Sequence, residues 1–208
     1  MRTHARTVTA SLLGLALFFG VPACSKKEPP EKAGAPEAPI SAGYESAITK
    51  AIFRPAGTAP AVYGPGDLYN LLVTGDETNN AFFQFEAVVP KGGGPPAHVH
   101  RNEDESFYVV SGRLEILLGT SLHEAKAGDF VFIPRGTVHR FKNVGSETAV
   151  QLVTFVPAGM EKFFKEVFPP VKDRTATPPP VTDELIRRMN QAASKYGIEF
   201  PVVRGEEK

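Results

Sequence analysis

With 208 residues, 42% of them hydrophobic, the chain can bury one substantial core and little more. Its 23 basic and 23 acidic residues cancel, and no basic stripe is available to track a phosphate backbone, so nucleic acid is excluded as an expected partner. Nineteen glycines and nineteen prolines belong to turn-rich β-structure and linkers rather than to a helical bundle.

In chain order, the N-terminus carries Arg2 and Arg6, then an apolar run from Leu12 to Val21, then Val21-Pro22-Ala23-Cys24. The eleven residues from Ser11 to Val21 fall short of the roughly 20 needed to span a bilayer, so the run reads as the h-region of an export signal over residues 1–23. Cys24 is the sole cysteine and cannot form an internal disulfide. Its setting resembles a bacterial lipobox, with Pro22 and Val21 departing from the usual pattern. That resemblance implies cleavage before Cys24, lipidation of its thiol and anchorage in the cell envelope. Ser25, in place of an aspartate, implies forwarding to the outer membrane, facing the periplasm, in a Gram-negative host. Residues 24–40 are rich in Lys, Glu, Pro and Ala and too poor in apolar groups to fold, which predicts a tether.

A β-rich domain is predicted over 41–157. Segments Ile48 to Ile52, Tyr69 to Thr74 and Phe82 to Val89 read as strands separated by Pro-Gly and Asn-Asn turn signals. Gln84 and Glu86 share one face of the third, which is expected to meet solvent. Glycines 92–94 with Pro95-Pro96 bend the chain into the next strand; no Lys-Ser/Thr pair follows to make a phosphate loop.

That next strand holds His98 and His100, two apart and therefore on one face. Arg101 to Asp104 suit a turn, and Glu105 opens a returning strand whose antiparallel approach is expected to bring its carboxylate back beside the histidines. Phe130 to Ile133 read as a fully buried strand, Pro134-Arg135-Gly136-Thr137 as a turn, and His139 and Phe141 as one face of the strand after it. Three imidazoles and one carboxylate, His98, His100, His139 and Glu105, suit one divalent transition ion (Fe, Mn, Ni, Co, Cu or Zn) and not the all-oxygen preference of Ca or Mg. Of the chain's many phenylalanines most are expected in the core, with Phe107 and Phe141 as candidate pocket walls beside the ligands. His123 and His4 lie outside the site.

Beyond Pro157, Met160, Phe163, Phe164 and Val167 recur at helical spacing, and Thr182 with Asp183 and Glu184 signals a second helix whose apolar face is Leu185, Met189 and Tyr196 and which Gly197 can end. Residues 158–208 are thus a helical extension, divided by a proline-rich link from Pro169 to Pro180. It is expected to pack outside the barrel or against another subunit.

The two histidine stretches resemble the paired motifs of the cupin family. The first runs from Gly92 through His98, His100 and Glu105 to Gly112; the second from Gly128 through Pro134, Gly136 and His139 to Asn143, every motif position filled. The fifteen intervening residues, with a hairpin near Gly119, resemble the short separation of single-domain bacterial cupins. The match implies an all-β jelly-roll barrel with C-terminal helices and favours Glu105 over its neighbours Glu103 and Asp104, which read as a solvated loop. Together with Gly64-Pro65-Gly66-Asp67 and the run Lys195 to Phe200, it is similar to quercetin 2,3-dioxygenase-like cupins. That likeness implies oxidative cleavage of a small hydroxy-aromatic or enol substrate by dioxygen, with Glu105 both ligating and taking the substrate proton, often in a homodimer. Two other functions fit the same residues: a non-catalytic envelope-anchored protein that binds a metal or small molecule, and another metal-cupin activity such as isomerisation or decarboxylation.

Overall fold

The computed structural model describes residues 50–202. The signal, Cys24 and the tether lie outside the described residues. Within them, eleven strands and three helices form in the order β1 (Ala61–Tyr63), β2 (Leu68–Val73), α1 (Gly75–Thr78), β3 (Phe83–Val89), β4 (Val99–His100), β5 (Asp104–Ser111), β6 (Arg113–Leu118), β7 (Ser121–Lys126), β8 (Phe130–Ile133), β9 (His139–Asn143), β10 (Ala149–Val156), α2 (Met160–Val167), α3 (Asp183–Ala193) and β11 (Ile198–Glu199).

Alternation dictates the main sheet. Phe83, Phe85, Ala87 and Val89 of β3 are buried while Gln84, Glu86 and Val88 between them are half-buried on the other face. Gln84 and Glu86 therefore lie away from the core, where Gln84 donates to Thr154 Oγ1 at 2.9 Å and Glu86 accepts from Asn70 at 2.8 Å. Antiparallel pairing gives the order β1-β2-β3-β10-β5-β8, with β10 running centrally between β3 and β5. Opposite it, β7-β6-β9 forms a second sheet, and a reciprocal bridge between His98 and His139 joins β9 to the two-stranded β11-β4. Two facing antiparallel layers with interior side chains between them make an all-β jelly roll carrying C-terminal helices. The β6–β7 hairpin turns at Gly119 as expected.

Three expectations need correction. Residues 50–52 form no strand, and Phe53 is almost wholly exposed; the first strand is β1, whose Val62 is buried. Strand β8 is not fully buried: the outer face of the main sheet meets solvent, so Phe130 and Phe132 are exposed while Ile133 on the inner face is buried. The C-terminal helices do not pack on the barrel's outside. Met160, Phe163, Phe164, Val167 and Met189 join the same core cluster as barrel residues Phe83, Phe85 and Phe155, with the Phe164 ring edge-on to all three. Thr182 caps α3 by accepting from Leu185 N, as its sequence signature predicts.

Helix α2 is fixed to the barrel through a buried carboxylate. Glu161 accepts from Gly75 N at 3.1 Å and from Gly159 N at 2.9 Å, so a charge that would be costly to bury alone is held by two backbone donors.

Candidate metal centre

The glycine loop sets the position of the first histidines. Gly92 N donates to Asn143 O and Asn143 N to Gly93 O, both at 2.9 Å, which lays the loop against β9. A side chain at Gly94 (φ 130°) would meet Phe141 O at 2.1 Å, so only glycine permits this approach. Asn143 locks the register, its amide donating to Val89 O and Glu147 O at 2.8 Å while Gly145 N donates to its oxygen.

Pairing then continues at His98 and His139, whose backbones exchange two 2.9 Å hydrogen bonds. The two side chains project to one face, and His100, two residues on from His98, joins them. Ring centroids lie 4.4 Å apart for His98 and His139, 4.8 Å for His98 and His100, and 5.4 Å for His100 and His139. Glu105 arrives from the opposite layer. Strand β5 pairs with β10 and β8, not with β4, so the carboxylate reaches the imidazoles across the barrel and not by the expected antiparallel return.

One donor atom from each of His98, His100, Glu105 and His139 lies within 4.8 Å of the others. That spread is close to the roughly 4 Å across a shell of donors each about 2.1 Å from a common ion. The Nδ1 atoms of His98 and His139 lie 2.9 Å from Pro96 O and Thr137 O, which fixes both rings and leaves Nε2 as the donor. Glu105 Oε2 lies 2.6 Å from His139 Nε2 and 3.7 Å from His100 Nε2, yet none of these buried atoms has an aligned hydrogen-bond partner. Orphaned buried donors cost free energy, and several converging on one point are what a metal ion satisfies. The donor set fits a transition ion.

Protonation supports the same use. Burial, then the neighbouring His139, lowers His98 to about 3, and burial followed by the two other imidazoles holds His100 well below the ordinary range, so both are neutral ligands at physiological pH. For His139, burial pulls the pKa down but the Glu105 carboxylate more than offsets it, leaving it raised.

Around the cluster lies a cavity of about 40 Å³. Tyr69, Phe85, Phe141 and Phe155 wall it from the barrel; Met160, Phe163, Phe164, Phe168, Met189, Ile198 and Phe200 wall it from the C-terminal extension. Phe141 thus lines the cavity, but Phe107 does not. It sits behind Phe141, edge-on at 5.6 Å, one inward position further along β5 than Glu105. His123 lies on the exposed β7.

Asp104 is half-buried and paired to Arg135 at 3.0 Å, and the hydrogen bonds from Arg135 lower its pKa to about 2. Glu103 is a correction: its side chain is buried and not in a solvated loop. Its Oε2 lacks a hydrogen-bond partner, and burial, opposed by Arg135, raises its pKa to about 7. Gly159 at the start of α2 covers it, a tertiary contact that the local sequence does not encode. Asp67 was also invisible as a polar core group. It is fully buried, accepts from the Tyr69 hydroxyl at 3.2 Å, and burial outweighs the bonds from Tyr69 and Gly94 to raise its pKa to about 8. The Gly-x-Gly turn before it was the available signal.

The barrel and its cluster define a class, and comparison with known proteins agrees. Residues 85–156 match the Cupin domain family model. Over that segment the chain is similar to cupin domains. It is 30% identical over 120 residues to quercetin 2,3-dioxygenase of Bacillus subtilis, covering 56% of this chain and 35% of that protein. An uncharacterized protein of Methanocaldococcus jannaschii is 36% identical over 61 residues, 29% of this chain and 49% of its own length. The chain spans about half or less of the length of these curated relatives. Among solved structures, KdgF from Halomonas sp. aligns with a TM-score of 0.49 at 18% identity, over 55% of this chain and 99% of that one.

Proposed function

We propose that this chain is a metal-dependent cupin enzyme of the dioxygenase type, acting on a small hydroxy-aromatic or enol substrate with dioxygen as co-substrate. The observation that carries this reading is the cluster of three histidines and one glutamate at the floor of an aromatic-walled cavity. Such a ligand set around a redox-capable ion supplies a Lewis-acidic centre with coordination positions free for oxygen donors. The chain's own residues do the rest. Phe85, Phe141 and Phe155 offer flat apolar surfaces for an aromatic ring and keep water out of a site whose electrostatics strengthen as it dries. His98 and His139, anchored through Nδ1, hold their positions without rearrangement. The Glu105 carboxylate, next to the cavity, is placed to accept the proton of a substrate hydroxyl.

The small free volume favours a second reading: a metal-assisted reaction on a compact acid, such as isomerisation or decarboxylation, or binding without turnover. Oxygen uptake by the metal-loaded chain separates the readings. Uptake with flavonols that disappears in Glu105→Gln supports the dioxygenase; ligand binding with no uptake contradicts it.

We also propose that the chain is exported and lipid-anchored through Cys24, facing the periplasm in a Gram-negative host, and that it works as a homodimer. Cys24→Ser should release the protein from membranes into the soluble fraction, and unchanged membrane retention would refute the anchor.

A further inference from the structure

The cavity beside the cluster holds about 40 Å³, room for a few waters at about 10–15 Å³ each and far short of a flavonol. No aromatic substrate fits, so a wall must yield, and the walls differ in how they are held. Tyr69, Phe85 and Phe155 stand on β2, β3 and β10, inside one continuous hydrogen-bonded sheet. Phe163 and Phe164 stand on α2, which follows β10 after a three-residue link and whose Glu161 is pinned by Gly75 and Gly159.

Phe141 on β9, Phe168 after α2 and Met189 on α3 are packed in the core, which leaves Ile198 and Phe200 as the least-tied wall. Ile198 belongs to β11, two residues long and paired on one edge only, with Ile198 opposite His100 and Glu199 opposite Val99, and Phe200 follows it. Outside this pairing, Arg101 N donates to Gly197 O at 2.8 Å and Asn102 Nδ2 to Tyr196 O at 3.2 Å. A bidentate Arg101–Glu199 pair at 2.7 and 2.6 Å and the contacts of Lys195 and Tyr196 with Glu166 complete the attachment, and all are exposed to solvent. Phe200 nevertheless reaches the centre, its ring 6.2 Å from that of His98. Upstream, the link 169–181 is tied to β1 by Tyr63 N to Pro169 O and Val171 N to Ala61 O at 2.9 Å, and α3 is packed into the core by Met189, so the segment after α3 is the part of the extension held through a single strand edge.

We propose that Ser194–Phe200 is the size-selecting wall of the site: β11 peels from β4 to admit a planar hydroxy-aromatic ligand, and Ile198 and Phe200 then close over it. Phe200 is the specificity-determining residue, stacking on the ligand's outer face. The ligand class rests on the function proposed above; the movable wall does not.

The chain has no tryptophan, so Phe200→Trp installs a single fluorescent reporter in this wall. Acrylamide quenching of that reporter should rise several-fold when Arg101→Ala is added, with or without metal, because the clamp on Glu199 is gone. In the unaltered chain, amide exchange at Arg101 should run far faster than at Phe85 and Val153 in the central ladder. Quercetin should shift the reporter's emission, whereas oxalate, compact enough to leave the wall in place, should not. Equal exchange at Arg101 and Phe85, or quenching indifferent to Arg101→Ala, overturns the movable wall, and the exchange measurement stands even if Phe200→Trp does not fold. A mobile wall with no quercetin binding overturns the ligand class alone and with it the substrate proposed above.

Discussion

The barrel that carries the cluster and the extension that covers it are built by different means. In the barrel, β10 is hydrogen-bonded on both sides, and Phe83, Phe85 and Phe155 stack with centroids 5.5 to 6.2 Å apart beneath the site. The last segment of the extension is a two-residue edge strand with its ion pairs in water. Rigid elements hold donors in fixed positions, while a weakly attached segment lets a small cavity widen for a larger occupant. The difference separates the part of the molecule that positions the candidate metal ligands from the part proposed above as the movable wall.

The sharpest way to break this division is at the cluster. Glu105→Gln or His139→Ala should lower metal affinity by orders of magnitude with the fold retained, read by elemental analysis and circular dichroism, because each removes a donor that nothing else replaces. Next comes packing. Phe83→Ala, at a fully buried position stacked on two other rings, should cost about 3–5 kcal/mol in denaturant unfolding, and Phe200→Ala well under half of that. Equal losses would mean that the extension is as integral as the barrel.

A third prediction concerns Asp67 in the barrel wall. Its pKa rises from 3.8 to about 8 in the fold, so the folded state holds a proton that the unfolded state gives up. Its contribution is therefore full below about pH 4 and lost as pH rises through about 8, so Asp67→Asn should flatten the fall of the thermal midpoint between about pH 4 and 8. An unchanged pH profile would refute the buried protonated carboxyl. The smallest effect is expected from Arg101→Ala: no measurable change in global unfolding, since its partner is exposed, but faster local exchange.

Where a pattern is local, it was legible. The period of two placed His98 and His100 on one face, the alternation from Phe83 to Val89 gave a core strand, and Thr182 announced α3. Where the outcome depends on a neighbour from elsewhere in the chain, it was not. The uninterrupted apolar run Phe130 to Ile133 looks the same whether both faces of its sheet are covered or one is bare, and only tertiary packing decides that Phe130 and Phe132 face solvent. Glu103 sits in a charged stretch that reads as exposed until α2 covers it. Helical periodicity identified the apolar faces of α2 and α3 without saying that they close the barrel over the site. Glu105 had the right partners but came from the facing sheet, since a motif fixes spacing and not the layer that a strand joins.

The decisive measurement is the metal content of the full chain purified without chelators, alongside His98→Ala and Glu105→Ala. The structure predicts about one transition ion per chain in the unaltered protein and its loss in both variants. A folded protein that stays empty after incubation with these ions, or variants that retain full occupancy, would contradict the assignment of the four residues.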